Sequence, residues 1–198
     1  MYKKVGKRVI DFIIALLGII ILAIPMLIIA ILIHFDSKGP VIFRQERLGK
    51  NRRVFTIYKF RTMVNNAYEI GGIANSASDS RITKVGAILR RTSLDELPQM
   101  FNILKGDMAI IGPRPILPVE FAEFEGHEKY HEYDKRHDVL PGLFCTVDID
   151  YRASASRELQ FEMDLEYIKN ISFINDIKYC FQIVGTVVSG KNVYREEN

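Results

Sequence analysis

From Phe12 to Ile33 the chain runs for twenty-two residues without a charged side chain. As a helix rising ~1.5 Å per residue, such a run covers the ~30 Å hydrocarbon core of a bilayer. No other feature restricts the fold of these 198 residues as much. A cleaved signal peptide fits poorly, because the run is too long and lacks a small-x-small cleavage site. Two features set it apart from an ordinary spanning helix. Pro25 falls mid-run, where it removes a backbone hydrogen bond and bends a helix. Basic residues also flank both ends: Lys3, Lys4, Lys7 and Arg8 before, then Lys38, Arg44, Arg47, Lys50, Arg52 and Arg53 after. A spanning helix shows a one-sided excess. Symmetric flanks suit a helix that enters, bends at Pro25 and returns to the same face. The residues alone leave the re-entrant and spanning forms open, and both place the remainder in the cytoplasm. The expected division is a membrane segment over 1–36 and a cytoplasmic domain over 37–198.

The charge is distributed unevenly. Residues 1–61 hold twelve Lys/Arg against Asp11, Asp36 and Glu46, whereas the remainder holds fifteen against twenty-one Asp/Glu. A basic front end beside an apolar run points to an anionic membrane surface, anionic substrates, or both. Nucleic acid is not an expected partner, since the basic residues crowd the hydrophobic segment and no nucleic-acid motif is present. Cys145 and Cys180 form no CxxC, so neither a disulfide scaffold nor a cysteine metal cluster is expected.

After the turn residues Ser37-Lys38-Gly39-Pro40, the runs Val41–Gln45 and Val54–Tyr58 read as a hairpin around Gly49-Lys50-Asn51. Lys59 and Arg61, separated by Phe60, would share one strand face and make a workable phosphate clamp, although such pairs are commonly solvated. Residues 65–80 read as a polar loop. The segment Glu120 to Arg136 reads as a charged helix with His127 and His131 four apart. No HExxH surrounds them, and a solvated face outweighs a zinc site there. Glu158 to Asn170 reads as a helix with Phe161, Leu165 and Ile168 inward. Asp164 and Glu166 cannot share that face, which leaves Asp164 either solvated or turned toward a site. Ile174, Ile177, Phe181, Val184 and Val188 keep a helical period, giving a last amphipathic helix that packs on the core or lies on the membrane surface. The fold class is α+β and mainly helical, with a small β-hairpin.

The chemistry concentrates in Leu89-Arg90-Arg91-Thr92-Ser93-Leu94-Asp95-Glu96-Leu97-Pro98-Gln99. Ser93 and Glu96 have capping-box spacing, so the sequence predicts a helix from Ser93 through Leu104 with Asp95 and Glu96 in its first turn. The positive end of the macrodipole there favours an ionised Asp95 and a phosphate docked beside it. Arg90 and Arg91 add cationic charge, and Arg114 is presented rigidly between Pro113 and Pro115. Acidic residues in a first turn are also ordinary helix-start chemistry, so this stretch alone does not decide the matter.

Taken in order, several motifs make the chain resemble the small monotopic phosphoglycosyl transferases, the bacterial sugar transferases that act on polyprenyl phosphate. They are Lys59-Phe60-Arg61, Asp79-Ser80-Arg81-Ile82-Thr83, Leu89-Arg90, Ser93 to Gln99, Asn102, Lys105-Gly106-Asp107-Met108, Gly112-Pro113-Arg114-Pro115, Arg136-His137, Pro141-Gly142 and Met163-Asp164-Leu165-Glu166-Tyr167. The resemblance implies transfer of a sugar 1-phosphate from a UDP-sugar to undecaprenyl phosphate, with release of UMP. It implies that Asp95 is the nucleophile of a covalent phosphosugar intermediate, that Glu96 assists, and that Mg²⁺ binds at Asp95. Lys59, Arg61, Arg90, Arg114 and Asp164 are implied to hold substrate. It also implies a re-entrant helix kinked at Pro25 and residence on the cytoplasmic face of the bacterial inner membrane. Two departures stand out: Ile24-Pro25 replaces the common Ser-Pro, and Leu143 to Asp150 replaces a Thr-Gly-Trp-Ala-Gln-Val-like run. A catalytically silent, membrane-tethered scaffold of the same fold is the rival expectation.

Overall fold

The computed structural model describes residues 2–67, 79–151 and 155–189. Most of the loop read over 65–80 lies outside them. Helix α1 (Lys7–Asp36) contains Pro25 within its helical run and continues a π-helical turn at Tyr2–Gly6. Only one stripe of α1 is covered. Asp11, Ala15, Ile29 and Ile33 are buried, whereas Phe12, Leu16, Ile20, Ile21, Ile24, Leu27, Ile28 and Leu32 are exposed. The buried positions form two pairs four residues apart, and the pairs are offset by eighteen residues, which is five helical turns and so a single contact face.

Strands β1 (Ile42–Leu48) and β2 (Val54–Phe60) form the expected antiparallel hairpin, with Ile42 opposite Phe60 and Leu48 opposite Val54. Helix α2 (Lys84–Thr92) starts at Thr83, whose hydroxyl accepts the Gly86 amide at 3.0 Å. Gly86 is required here: a Cβ would collide with the Thr62 carbonyl group, so only glycine lets α2 lie against the end of β2.

The helix expected from Ser93 to Leu104 does not form. Ser93 is left-handed (φ 56°), closes α2, and makes no side-chain capping bond to the turn after it. A 3-10 turn over Leu94–Glu96 follows, and α3 begins only at Gln99 (Gln99–Lys105). Pro98 supplies the reason. It has no N–H to bond the Leu94 carbonyl, so the ladder proceeds by three-residue steps, Leu97 N to Leu94 O and Phe101 N to Pro98 O. Asn102, fully buried, then sews α3 onto β2: its Oδ1 accepts the Tyr58 amide (3.0 Å) and its Nδ2 donates to the Thr56 carbonyl (2.7 Å).

Strand β3 (Ala109–Ile111) pairs in parallel with β4 (Gly142–Phe144), so Pro141-Gly142 begins a strand as well as breaking the chain. The segment read as one helix from Glu120 to Arg136 is two, α4 (Pro118–Ala122) and α5 (Tyr130–Asp134). Between them Gly126 takes φ 89°, which no continuing helix allows. His127 and His131 therefore share no helical face. The short α6 (Val147–Asp150) and α7 (Arg157–Lys169) follow. Asp164 lies on the inner face of α7 with Phe161 and Leu165, contrary to the pattern-based expectation, because an arginine meets it there.

The last helix, α8 (Phe173–Ser189), turns its apolar stripe outward. Ile174 and Phe181 are each 76% exposed, while Asp176 and Ile183 face in. Ile174, Ile177, Phe181 and Val184 therefore do not pack into the core formed by the described residues.

Among the described residues three apolar clusters hold the body together, and α1 enters two of them. Ala15 packs with Ile57, Ile103 and Met108, and Ile29 and Ile33 pack with Phe60 and Leu89. The third, around Ile116, Phe121, Tyr133 and Phe161, lies under the α4–α5 segment. Both ends of α1 are also bonded to the body. At the start, Lys3 Nζ donates to the Ile168 carbonyl (2.8 Å), Lys7 Nζ contacts Asp176 (2.7 Å), and Arg8 caps α3 through the Ile103 and Leu104 carbonyls. At the end, Asp36 Oδ2 accepts the Val85 amide (3.0 Å) and Arg61 binds the Ser37 and Pro40 carbonyls.

Candidate active site

Asp95 and Glu96 sit in the 3-10 turn between α2 and α3, above the end of β2. Lys59, the penultimate residue of β2, places Nζ 2.6 Å from Glu96 Oε1. Arg90, in the last turn of α2, donates its Nε to Thr62 Oγ1 at 2.9 Å. The Gly86–Thr62 packing fixes that geometry, so the glycine positions the arginine. A bidentate clasp of Asp79 by Arg81 (2.9 and 2.6 Å) secures the chain entering α2.

Burial pushes the Asp95 carboxyl up to about 6, with neighbouring Glu96 adding to the rise and Lys59 and Arg90 opposing it. A half-buried acid whose nearby cations do not fully offset its desolvation favours the arrival of further positive charge. The helix-dipole argument does not apply to it, because Asp95 precedes α3 and lies in no α-helical first turn.

A second polar group adjoins the first. Arg114 NH1 lies 2.8 Å from Asp148 Oδ1, and its backbone N–H donates to Asp164 Oδ1 at 3.3 Å. Asp148 is the main reason the Arg114 guanidinium holds its proton more firmly than usual, and Glu96 contributes to the same field. Beneath it, Arg136 donates to Asp164 Oδ2 through Nε (3.0 Å) and NH2 (2.5 Å) and to the Arg114 carbonyl (2.6 Å). Asp164 thus shapes the Arg114 loop from below and is itself fully buried.

Of the residues singled out in the sequence, the structure gathers Lys59, Arg90, Asp95 and Glu96, with Arg114 beside them and Asp164 behind Arg114. Arg61 is spent elsewhere. It lies past the end of β2, is buried, and directs its guanidinium to the Ile33, Ser37 and Pro40 carbonyls and the Ser37 hydroxyl. The expected common face of Lys59 and Arg61 fails because the strand ends between them. Sequence reasoning missed Asp148, which lies in the atypical 143–150 segment, and Arg47. The alternation Gln45-x-Arg47 on β1 was the available signal for the latter.

The turn thus brings two acids and ordered arginines together on a body that also carries a helix long and apolar enough to cross a membrane. The bacterial sugar transferase family matches residues 2–190, and the chain belongs to that family. It is 40% identical over 187 residues to a UDP-N-acetylgalactosamine–undecaprenyl-phosphate N-acetylgalactosaminephosphotransferase of Aeromonas hydrophila, spanning 93% of this chain and 44% of that protein. It is 38% identical to an exopolysaccharide production protein of Rhizobium leguminosarum bv. phaseoli, over 92% of this chain and 94% of the relative. An undecaprenyl-phosphate glucose phosphotransferase of Komagataeibacter xylinus is 36% identical over 98% of this chain and 38% of its own length. The chain thus spans less than half of some curated relatives and nearly all of another.

Proposed function

We propose that this protein transfers a sugar 1-phosphate from a UDP-sugar to undecaprenyl phosphate, releasing UMP, at the cytoplasmic face of the bacterial inner membrane. The observation that carries the proposal is Asp95 itself: a half-buried carboxylate between Arg90 and the Lys59–Glu96 pair. The names of the Aeromonas and Komagataeibacter relatives support transfer of a sugar phosphate to undecaprenyl phosphate. In the first step an Asp95 oxygen attacks the β-phosphorus. The bond from that phosphorus to the bridging oxygen breaks, and UMP leaves with the electron pair. In the second, an oxygen of the lipid phosphate attacks the same phosphorus and releases Asp95, leaving a sugar diphospholipid. Arg90, Arg114 and Lys59 offset the charge that gathers on the phosphoryl oxygens. Glu96, held by Lys59, is placed to orient the acceptor or take its proton.

Magnesium fits this donor set. Mg²⁺ is commonly held by one or two carboxylates together with substrate phosphates. Asp95 is an acid short of counter-charge, and among the described residues no cluster of three or more acidic, His or Cys ligands forms a self-sufficient cage. Asp95 would hold the ion, which supplies screening of the anionic donor against the anionic nucleophile.

The membrane arrangement we infer is monotopic and re-entrant. A thirty-residue helix is ~45 Å long, yet one soluble body bonds both its ends and packs along one side. A helix crossing the bilayer would separate those ends. The exposed stripes of α1 and α8 remain for lipid. The two helices are joined where Tyr2 meets Phe173 edge-on, 5.8 Å between centroids.

The test is trapping without acceptor. Detergent-solubilised protein is incubated with Mg²⁺ and a panel of UDP-sugars, then analysed by intact-mass and peptide mass spectrometry. A phosphosugar adduct on Asp95 with matching UMP release, absent in Asp95→Asn, is expected. UMP release without an adduct would overturn the covalent route, and turnover by Asp95→Asn would overturn the role of Asp95.

A further inference from the structure

Three of the partly or fully buried arginines near the site each have a carboxylate at hydrogen-bonding distance: Arg114 with Asp148, Arg136 with Asp164, and Arg157 with Glu120 at 2.6 Å. Arg47 does not. Its NH2 donates to the neutral Gln45 amide oxygen at 2.5 Å, and its NH1 stands 3.7 Å from Glu120 Oε2, too far for a hydrogen bond. Its Nε is buried with no acceptor among the described residues. Each Glu120 oxygen already accepts a closer donor, Oε1 from Arg157 at 2.6 Å and Oε2 from the Leu117 amide at 2.8 Å. Two guanidinium groups therefore share the single negative charge of Glu120, leaving surplus positive charge in a half-buried place. Arg47 is 20% exposed at its side chain and Arg157 36%, so both can be reached from outside. Burial, with the nearby charges of Arg114 and Arg157, lowers the Arg47 pKa to about 10. Glu120 is the main opposing charge and Glu96 a smaller one, so the group lies within the field of the Asp95–Glu96 turn.

We propose that Arg47 and Arg157 form a second phosphate subsite, distinct from the phosphorus under attack, with Glu120 holding it open in the free protein. The chemistry fits a phosphate ester: two guanidinium forks match phosphate oxygens bidentately, and an anion would supply the charge that Glu120 cannot. Two sources carry that chemistry, the phosphate of the leaving nucleotide and the headgroup of the lipid acceptor. The assignment rests on the reading of the Asp95–Glu96 turn as a phosphoryl-transfer centre.

The experiment is binding without turnover, using the full chain in nanodiscs. Calorimetry is run with UMP, and separately with nanodiscs with and without undecaprenyl phosphate, for wild type, R47Q, R47K and E120Q. R47Q should weaken one ligand about tenfold, on the order of 1.4 kcal/mol, and leave the other unchanged. Loss for UMP assigns the subsite to the nucleotide, and loss for the lipid assigns it to the acceptor. E120Q should tighten the same ligand severalfold, which a merely structural role for Arg47 would not produce. R47K, which keeps the charge without the fork, should fall between. Unchanged binding of both ligands by folded R47Q overturns the proposal. So does failure of wild type to bind either ligand. If R47Q does not fold, unchanged affinities in E120Q decide against it. Asp95 trapping is read separately, so a normal adduct with failed binding shifts rejects the subsite alone.

Discussion

Lys59 Nζ lies 2.6 Å from Glu96 Oε1, an ion pair that ties the end of β2 to the turn carrying Asp95. Each partner keeps about a quarter of its side-chain surface exposed (24% and 25%), so solvent screens the pair and its worth to folding is small, ~0–1 kcal/mol. Its value lies in orientation. Lys59→Met should leave the melting temperature nearly unchanged while lowering UMP release about 100-fold, the scale seen when one charge-stabilising donor is removed. Parallel thermal melts and steady-state assays check this. Wild-type turnover in the variant would reduce the pair to a surface contact.

Arg61 should behave in the opposite way. Its guanidinium satisfies carbonyls at the end of α1 and across the Ser37–Pro40 turn. Removing it leaves buried acceptors unmet, at about 1–3 kcal/mol each. Arg61→Gln is expected to destabilise by about 3 kcal/mol, with the KM for donor unchanged in the fraction that stays folded. A raised KM at wild-type stability would return Arg61 to the phosphate clamp that its spacing from Lys59 suggests.

These two residues also show what the sequence could reveal. Lys59 and Arg61 have identical spacing and charge in the pattern, and only the strand end at Phe60 separates a site residue from a helix latch. The hairpin, α1, α7 and α8 were legible because their apolar patterns are regular, whereas α2 was not read as a helix. The Ser93 start was misread because the capping-box spacing is real but Pro98, five residues on, denies the α-ladder a donor. Asp164 was misread because periodicity treats a carboxylate as polar, whereas Arg136, twenty-eight residues away, makes the pair fit to bury. Long-range pairing of this kind leaves no trace in local pattern.

His137 gives the fold a pH limit. Burial is the main cause of its lowered pKa, with Arg136 adding to it, while Asp134 partly opposes the shift through a 3.2 Å contact to Nδ1. The folded state therefore binds this proton less readily than the unfolded chain, whose imidazole titrates near the ordinary value of about 6.5. Stability from this group is complete above that value and is lost as pH falls through the lower folded value. Melting temperatures between pH 7.5 and 5 should drop more steeply for wild type than for His137→Gln. Parallel profiles would assign the acid sensitivity elsewhere.

The membrane arrangement yields the sharpest prediction, because the alternatives place atoms on opposite sides of a bilayer. Lys3 and Lys38 flank α1 and are both exposed. Cys145 is buried, and Cys180 is removed as Cys180→Ser to leave a clean background. In right-side-out bacterial cells, Lys3→Cys and Lys38→Cys should both resist a membrane-impermeant thiol reagent, and both should react in inverted vesicles. A spanning helix would expose one of the two in each preparation. The outward stripe of α8 adds an independent check on the same body. Phe181→Glu, at a position 76% exposed, should loosen the protein from anionic vesicles without lowering its melting temperature in detergent. A charge there costs nothing against water and several kcal/mol against hydrocarbon, so unchanged vesicle binding would place α8 away from the lipid.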